Sequence, residues 1–175
     1  NYGTPPEAAV VVLEALGVKE TRGMTKSELP EAIRQLAAQS GISSKEANIS
    51  VSGQSVIVRF ISMPKMDDEA LKGAIRFEAE KFIPFDINEC VMDFKTIKKE
   101  GADNKLKLVL AAAKKEAIEA KIKIAQDAGF SVRVVDVDGF AIANSFSRNF
   151  PNLAPDKTSA LINIGGTFTN LSVLR

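Results

Sequence analysis

The sequence predicts an α/β fold, in which short strands alternate with amphipathic helices. A strand–helix–strand–strand order is expected between residues 47 and 113, and a helix–strand–helix–strand–strand order follows it up to residue 174. The composition agrees with an ordered globular chain, because 45% of the residues are hydrophobic and 26% are charged. With 175 residues, the chain can form one good core or two small lobes.

The charge, cysteine and histidine content excludes several classes of function. The 23 basic and 22 acidic residues leave a net charge of +1, so no overall field favours nucleic acid or an acidic membrane. The sequence has no histidine and one cysteine, Cys90, which excludes a Cys/His metal site, an internal disulfide and a Ser-His-Asp triad. No apolar run approaches the ~20 residues that span a bilayer. We therefore expect a cytoplasmic protein that reaches a membrane only through a partner, with Cys90 as a small buried hydrophobe.

The first 45 residues contain one strand signal and one helix signal. The valine-rich segment favours a strand over residues 8–16, although its alanines would also suit a helix. Thr25 and Glu28 have the spacing of a capping box, and Pro30 suits a first helical turn. The helix should end at Gly41, a natural left-handed cap. Its expected buried stripe is Leu29, Ile33, Leu36 and Ala37.

Two strands are expected next, at residues 48–52 and 56–61. Gly53-Gln54 between them predicts a hairpin. Apolar residues occupy both faces of the second strand. We therefore expect an interior strand that is covered on each side.

A helix should follow this strand. It should begin at Asp67, whose carboxylate can accept hydrogen bonds from free N–H groups of the first turn. Pro84 disfavours helical geometry at Ile83, so the helix should end there. Phe77 lies off the apolar stripe and is either a second packing surface or a docking point. The expected stripe is Leu71, Ala74, Ile75 and Phe82.

Beyond residue 89 the sequence predicts an antiparallel strand pair, a helix that ends at Gly129, a strand, a helix capped by Asp138, and a last strand pair. The first pair is apolar on one face and charged on the other, so one helix should pack on it. The expected ranges are 90–96 and 105–110 for the first pair, 117–125 for the helix, 132–137 for the strand, and 160–164 and 167–174 for the last pair.

Three segments in this order also resemble a known family. They are Val56–Arg59, the turn Met63–Met66, and the run Phe77–Phe85, which reads Phe-Glu-Ala-Glu-Lys-Phe-Ile-Pro-Phe. The set is similar to the matching part of the PilM family, the cytoplasmic actin-like proteins of type IV pilus assembly. The resemblance implies an actin-like (ribonuclease H-like) lobe fragment with an inserted α+β strand-helix-strand-strand subdomain.

The resemblance also implies how the chain is divided. Residues 1–45 would form part of the actin-like subdomain 1A, and residues 46–130 would form an inserted 1C-type subdomain. Residues 131–175 would return to subdomain 1A with the second phosphate-loop hairpin. Because the chain starts at Asn1 without a methionine and its last residues are typical of a strand, we interpret it as a piece of a longer protein.

The last hairpin is the candidate for phosphate chemistry. Glycines at such a bend let backbone N–H groups approach a phosphate, although most Gly-Gly pairs between strands are only hairpin turns. The resemblance assigns this hairpin to the second phosphate loop of actin-like proteins, with Asn163 where the family has aspartate. A neutral amide offers less to a metal-bound water, which counts against efficient hydrolysis. The implied nucleotide-binding residues are Asn163, Gly165, Gly166, Thr167 and Thr169.

The resemblance implies that the full-length protein binds ATP and Mg. This piece would lack the first phosphate loop and the adenosine-binding segments, so we expect it to bind neither and assign no catalytic residue. Asp136, near a strand end, is a further functional candidate. Glu78 and Glu80 should point to different sides of a helix. We expect each to be solvated or paired with a basic residue, so they should not form a catalytic pair.

An aromatic group is the candidate partner site. Its residues are Phe77, Phe82, Ile83, Pro84 and Phe85. One interpretation is that they fill the seam between two lobes, and the other is that they line a groove for an extended or amphipathic peptide. The resemblance implies the second, because in the PilM family a groove between the inserted and main lobes receives the cytoplasmic N-terminal tail of the membrane protein PilN.

The resemblance therefore implies a cytoplasmic scaffold, peripheral to the inner membrane through its partners. Those partners would be a PilN-type tail and other proteins of the pilus platform, with self-association left open and with no nucleic acid and no direct membrane insertion. One alternative is an active actin-like ATPase. Another is a relative such as FtsA, the cell-division actin homologue, or the cytoplasmic domain of a type II secretion protein.

Overall fold

The structure, a computed structural model, describes residues 12–99, 105–151, 157–166 and 168–174. None of the helices in these ranges is long and apolar enough to cross a membrane. The elements are α1 (Leu29–Gln39), β1 (Glu46–Val51), β2 (Val56–Pro64), α2 (Asp68–Ala79), β3 (Cys90–Lys99), β4 (Lys105–Lys114), α3 (Lys115–Asp127), β5 (Ser131–Val137), α4 (Asp138–Asn149), β6 (Ser159–Ile164) and β7 (Thr169–Leu174), with short 3-10 turns at Gly53–Ser55 and Ile87–Glu89.

The strands form three separate sheets. β1 and β5 pair in parallel. β2, β4 and β3 form an antiparallel sheet with β4 in the centre. β6 and β7 form an antiparallel hairpin. The predicted α/β class and both predicted antiparallel pairs are confirmed.

The main core lies between the three-stranded sheet and α2. Every second residue of β4 is buried, because successive side chains of a strand point to opposite faces. α2 contributes a stripe spaced four residues apart. The largest contributors are Leu106, Leu108 and Leu110 of β4, Leu71 and Ile75 of α2, and Ile61 and Met63 of β2.

Cys90 belongs to this core, as the sequence predicts. Its side chain is buried and forms no disulfide. Burial raises the pKa of its thiol, and the nearby Glu89 carboxylate adds to the rise. The thiol is therefore held in its neutral, unreactive form.

The predicted hairpin between β1 and β2 is wrong. Gly53–Ser55 is a 3-10 turn in which Gly53 has a φ of 78°, and the two strands belong to different sheets. β1 instead pairs in parallel with β5, with Ile49 opposite Val135. This pairing is favoured because α3 packs on both strands. β1 therefore lies in the same sheet as β5, which begins at residue 131.

β2 is an edge strand, not the interior strand that the sequence predicts. It pairs with β4 on one side, and within the described residues no strand pairs with its other side. Ile61 and Met63 point into the core. Val56, Val58 and Phe60 alternate with them and lie on the opposite face, where Phe60 is 78% exposed.

α2 begins as predicted and ends earlier than predicted. The Asp67 carboxylate accepts a hydrogen bond from the Ala70 N–H at 2.7 Å. The helix ends at Ala79 rather than at Ile83. The Phe82 N–H donates to the Ala79 carbonyl at 2.9 Å, so the last turn tightens. Ile83 is buried as a result, and Phe82 stays 39% exposed instead of lying on the buried stripe.

Other helix ends are mostly as predicted. Gly41, with a φ of 70°, follows α1, and Gly129, with a φ of 91°, follows α3. The Thr25 N–H donates to the Glu28 carboxylate at 2.7 Å, which lowers the pKa of Glu28. The predicted capping box is not formed, because Glu28 and not Thr25 is the N-cap of α1, and no side chain caps this helix. Asp138 is not a cap: Val137 occupies the N-cap position of α4, and Asp138 lies in the first turn.

The strand predicted over residues 8–16 is absent from its described part. Residues 12–20 have no regular secondary structure, and their apolar side chains Val12, Leu13 and Leu16 are exposed. No strand pairs with them within the described ranges, so their backbone has no ladder to join. Residues 8–11 lie outside the described residues.

We predict that Leu108→Ala destabilises the protein by about 2–5 kcal/mol, because the side chain is fully buried, with 0% exposure, in the centre of the core. Leu16→Ala is the matched control, because Leu16 is 75% exposed. It should change the free energy of unfolding by less than about 0.5 kcal/mol. Urea denaturation measures both, and equal effects would contradict this core.

Candidate functional site

A groove separates the three-stranded sheet from the hairpin β6–β7 and the start of α4. Its volume is about 450 Å³. β2, the turn before it, α4 and β7 provide its walls. Most of the lining side chains are apolar, and Asp138 is the one charged residue among them. The groove therefore suits a mostly apolar ligand with a few polar contacts.

The wall on the β2 side is the face of the sheet that α2 does not cover. Val56, Val58 and Phe60 line the groove. On the neighbouring strand, Val58 is paired with Ala111 and Phe60 with Val109, so this face is apolar beyond β2 as well. The exposed Phe60 ring is a large apolar surface at the groove wall.

The wall on the α4 side is the junction between β5 and α4. The Val137 N–H donates a hydrogen bond to the Asp136 carboxylate at 2.7 Å. Gly139 lies in the first turn of α4, and a Cβ at this position would be 3.1 Å from the Ser172 hydroxyl. The missing side chain therefore lets β7 lie close against α4. Asp136, a functional candidate from the sequence, supports this wall but does not line the groove.

β7 contributes six consecutive residues, Thr169–Leu174, to the lining. β2, by contrast, contributes every second residue. A strand that lines a groove with both of its faces presents its edge to it. The two walls are therefore different: one is a sheet face and the other is a strand edge.

Gly53, which lines the groove, lies close to the ring of Phe168. A Cβ on Gly53 would be 2.9 Å from the Phe168 ring. Gly53 also has a φ of 78°, which side chains other than glycine rarely adopt. The positive φ and the nearby Phe168 ring thus both favour glycine at position 53, between β1 and β2.

The predicted phosphate residues lie at the turn of β6–β7. The Gly165 N–H donates to the Phe168 carbonyl at 2.9 Å, and a Cβ on Gly165 would be 2.8 Å from the same oxygen. Gly166 is exposed, and nothing lies within 4 Å of where its Cβ would be. Asn163 and Thr169 lie on the two strands beside the turn, and Thr167 lies outside the described residues.

The predicted aromatic partner site does not line the groove. Ile83 is 5% exposed in the core, and Phe85 is half-buried against it, with the Lys114 ammonium 4.6 Å from its ring centre. Pro84 and Phe82 are exposed, and Phe77 is 71% exposed on the outer side of α2. The turn after α2 thus places Ile83 in the core, and binding of a partner by these five residues stays a prediction.

Sequence reasoning missed Val58 and Phe60 as site residues, although a signal was present. Residues 56–61 are apolar on both faces of their strand, and the strand-helix-strand-strand segment to which they belong contains one helix. One helix covers one face of a sheet, so the other apolar face needs another cover. The predicted pairing of one of the two glutamates with a basic residue is confirmed, because Glu78 forms an ion pair with Lys81 at 2.7 Å.

Comparison with known proteins gives extensive matches to one family. A sequence model of a family described as type IV pilus assembly protein PilM matches residues 6–175. A chain in a solved PilM-PilN type IV pilus biogenesis complex matches with a TM-score of 0.77 and 28% identity. That match covers 98% of this chain and 49% of the other, so this chain spans about half of its length.

A second solved structure also matches. It is the cytoplasmic domain of EpsL, an inner-membrane component of the type II secretion system of Vibrio cholerae. Identity is 16% and the TM-score is 0.49, over 84% of this chain and 56% of the other.

We predict that Gly53→Ala destabilises the protein more than Gly23→Ala. Both glycines have positive φ, at 78° and 83°, so each alanine should cost about 1–2 kcal/mol of backbone strain. Around Gly23 the space is open, whereas at Gly53 the methyl must displace the Phe168 ring. The displacement should add about 1 kcal/mol, and urea denaturation measures the difference.

Gly73→Ala is the control for glycine replacement as such. Gly73 lies inside α2 with nothing within 4 Å of its Cβ position. The alanine should stabilise the protein by roughly 0.5–1 kcal/mol. Equal destabilisation by Gly53→Ala and Gly23→Ala would contradict the Phe168 contact.

Proposed function

Because the chain belongs to the PilM family of type IV pilus assembly proteins, we propose that it docks the N-terminal tail of a PilN-type inner-membrane protein in its groove. The predicted fold class, an α/β fold of the actin-like lobe type, is confirmed. The observation that carries the proposal is the uncovered apolar face of β2 opposite α4 and β7. A solved relative was obtained as a complex of PilM with PilN, which supports a PilN-type partner for this chain.

The groove suits a peptide segment better than a rigid globular surface. It is narrow enough to be lined from two sides, by Val58 and Phe60 on one wall and by β7 on the other. Apolar grooves of this kind bind an extended strand or an amphipathic helix through a few anchoring side chains. A short tail can enter such a groove, whereas a folded domain cannot.

This proposal also accounts for a role at the membrane. A tail of a membrane protein bound in the groove would hold the protein at the cytoplasmic side of the inner membrane, without any membrane-spanning element of its own. Contacts with other platform proteins and self-association would use surfaces outside the groove. The exposed outer side of α2, which carries Phe77, is one such surface.

We predict that Phe60→Ala weakens binding of a synthetic PilN-type tail peptide by at least tenfold. Loss of a large aromatic side chain from an apolar contact costs about 1.5–3 kcal/mol. Phe77→Ala is the matched control, because both rings are exposed in the free protein, at 78% and 71%. It should leave the affinity unchanged, and fluorescence anisotropy of a labelled peptide measures both.

The two variants distinguish the groove from the aromatic site predicted from the sequence. A loss of affinity in Phe77→Ala alone would place the tail on the outer side of α2 and contradict the groove. Neither variant should unfold the protein, because neither ring belongs to the buried core. Circular dichroism of both variants checks this point.

We further propose that the turn of β6–β7 forms part of an ATP site in the longer protein. The donor groups fit a phosphate, because Gly166 is open to approach and Thr169 can add a hydroxyl. They do not fit a directly bound Mg, because Asn163 supplies no carboxylate. Among the described residues no group of three His, Cys, Asp or Glu side chains could hold a metal. We therefore propose nucleotide binding without efficient turnover.

We predict that Gly166→Val, made in the longer protein that completes the site, lowers the affinity for a fluorescent ATP analogue roughly tenfold, since losing a charge-assisted hydrogen bond costs about 1.5 kcal/mol. The side chain would obstruct a phosphate but meet no protein atom. The free energy of unfolding should stay unchanged, as should analogue binding in the Phe60→Ala control. Equal affinity in the wild type and Gly166→Val would remove this turn from the site.

The rival function is an actin-like ATPase. Asn163 counts against it, because the position lacks the carboxylate that helps to position a metal-bound water. In the longer protein, phosphate release from ATP that is faster in the wild type than in Gly166→Val would favour the ATPase over the scaffold.

A further inference from the structure

Phe168 touches two parts of the chain that have separate proposed roles. Its carbonyl accepts a hydrogen bond from the Gly165 N–H at 2.9 Å, and a Cβ at Gly165 would lie 2.8 Å from the same oxygen. The two residues are therefore held close together across the turn of β6–β7. Gly166 lies in this turn and Thr169 follows Phe168 directly. A phosphate held by these residues would bind to the segment of backbone that carries the Phe168 ring.

The Phe168 ring packs on the main chain at Gly53. A Cβ at Gly53 would lie between 2.9 and 3.2 Å from three atoms of the ring, so no side chain at this position separates the ring from the backbone. The ring is 45% exposed and does not belong to the buried core. It can therefore change position without opening the core.

Gly53 is joined to the apolar wall of the groove by a short turn. The 3-10 turn Gly53–Ser55 is closed by a hydrogen bond from the Val56 N–H to the Gly53 carbonyl. Val56 is the first residue of β2, and both Gly53 and Val56 line the groove. A displacement of Gly53 is therefore passed directly to the start of the wall that contains Val58 and Phe60.

We propose that Phe168 couples nucleotide binding at the β6–β7 turn to tail binding in the groove. A phosphate bound at the turn would fix Phe168, and the fixed ring would hold Gly53 and the start of β2 in one position. The tail would then meet a wall that is already ordered, so its binding would cost less conformational entropy. Because coupling between two sites is reciprocal, nucleotide and tail should strengthen each other's binding by the same factor. This proposal rests on the docking function and the ATP site proposed above and adds their regulation.

Titration of the labelled tail peptide tests the coupling in the longer protein that completes the nucleotide site. With a saturating concentration of a nonhydrolysable ATP analogue, the peptide should bind at least fivefold more tightly than without nucleotide. In Phe168→Ala the ratio of these two dissociation constants should fall to about one. Each variant is compared with itself, so a change in peptide affinity alone does not alter the ratio.

Phe150→Ala is the matched control for removal of an exposed ring. Phe150 is 57% exposed at the end of α4 and does not line the groove. This variant should keep the wild-type ratio. Circular dichroism checks that both variants are folded. If Phe168→Ala is unfolded, Phe168→Leu takes its place and should give a ratio below that of the wild type.

The outcomes separate the coupling from the functions on which it rests. Peptide affinity that is the same with and without a bound analogue would overturn the coupling and leave the docking function standing, as would a wild-type ratio in Phe168→Ala. Failure of the analogue to bind would overturn the ATP site together with the coupling. Failure of the peptide to bind under either condition would overturn the docking function together with the coupling.

A second measurement follows Gly53 without the tail. In nuclear magnetic resonance spectra of the longer protein with labelled glycine, the analogue should shift the Gly53 amide signal in the wild type but not in Phe168→Ala. Gly73, in α2 on the opposite face of the sheet, is the internal control and should not shift in either protein. A Gly53 shift that survives in Phe168→Ala would overturn the role of the ring.

Discussion

The three-stranded sheet has two apolar faces and one helix of its own, and the candidate site follows from that imbalance. α2 covers the face that contains Leu108 and Ile61, which forms the core. The opposite face, with Val58 and Phe60, needs a different cover. β5, α4 and β7 approach it without closing over it, and the space that remains is the groove. An apolar face left partly open in this way is a typical protein-binding surface.

The turn at Gly53 holds this arrangement in place. It ends the parallel sheet that contains β1, starts the inserted sheet at β2, and receives the Phe168 ring. Phe168 also accepts the hydrogen bond that closes the β6–β7 turn, where Gly165 and Gly166 lie. Phe168 therefore lies next to both the candidate phosphate turn and Gly53, which lines the groove.

Much of the fold could be predicted because much of it is set by local chemistry. Asp67 caps α2, Gly129 ends α3, and the alternation in β4 marks its buried face. The partner of β1 could not be predicted in this way. Gly53-Gln54 is a good hairpin signal locally, whereas the competing partner β5 is distant in the sequence and is selected by the helix that covers both strands. Local patterns specify elements well but do not rank long-range pairings.

The candidate site was less predictable than the fold for the same reason. A cluster of aromatic residues near Pro84 is visible in the sequence, but the burial of the residues after Ala79 depends on a single tightened turn. That turn places Ile83 in the core, while Phe77 lies within α2, is exposed and does not line the groove. The groove itself depends on where β7 lies relative to β2, and neither strand carries a motif for this. The apolar alternation of residues 56–60 could show that a second face exists, but only the tertiary structure shows that a strand edge faces it. The groove therefore depends on long-range packing, which places an apolar sheet face opposite β7 and which no local pattern of residues specifies.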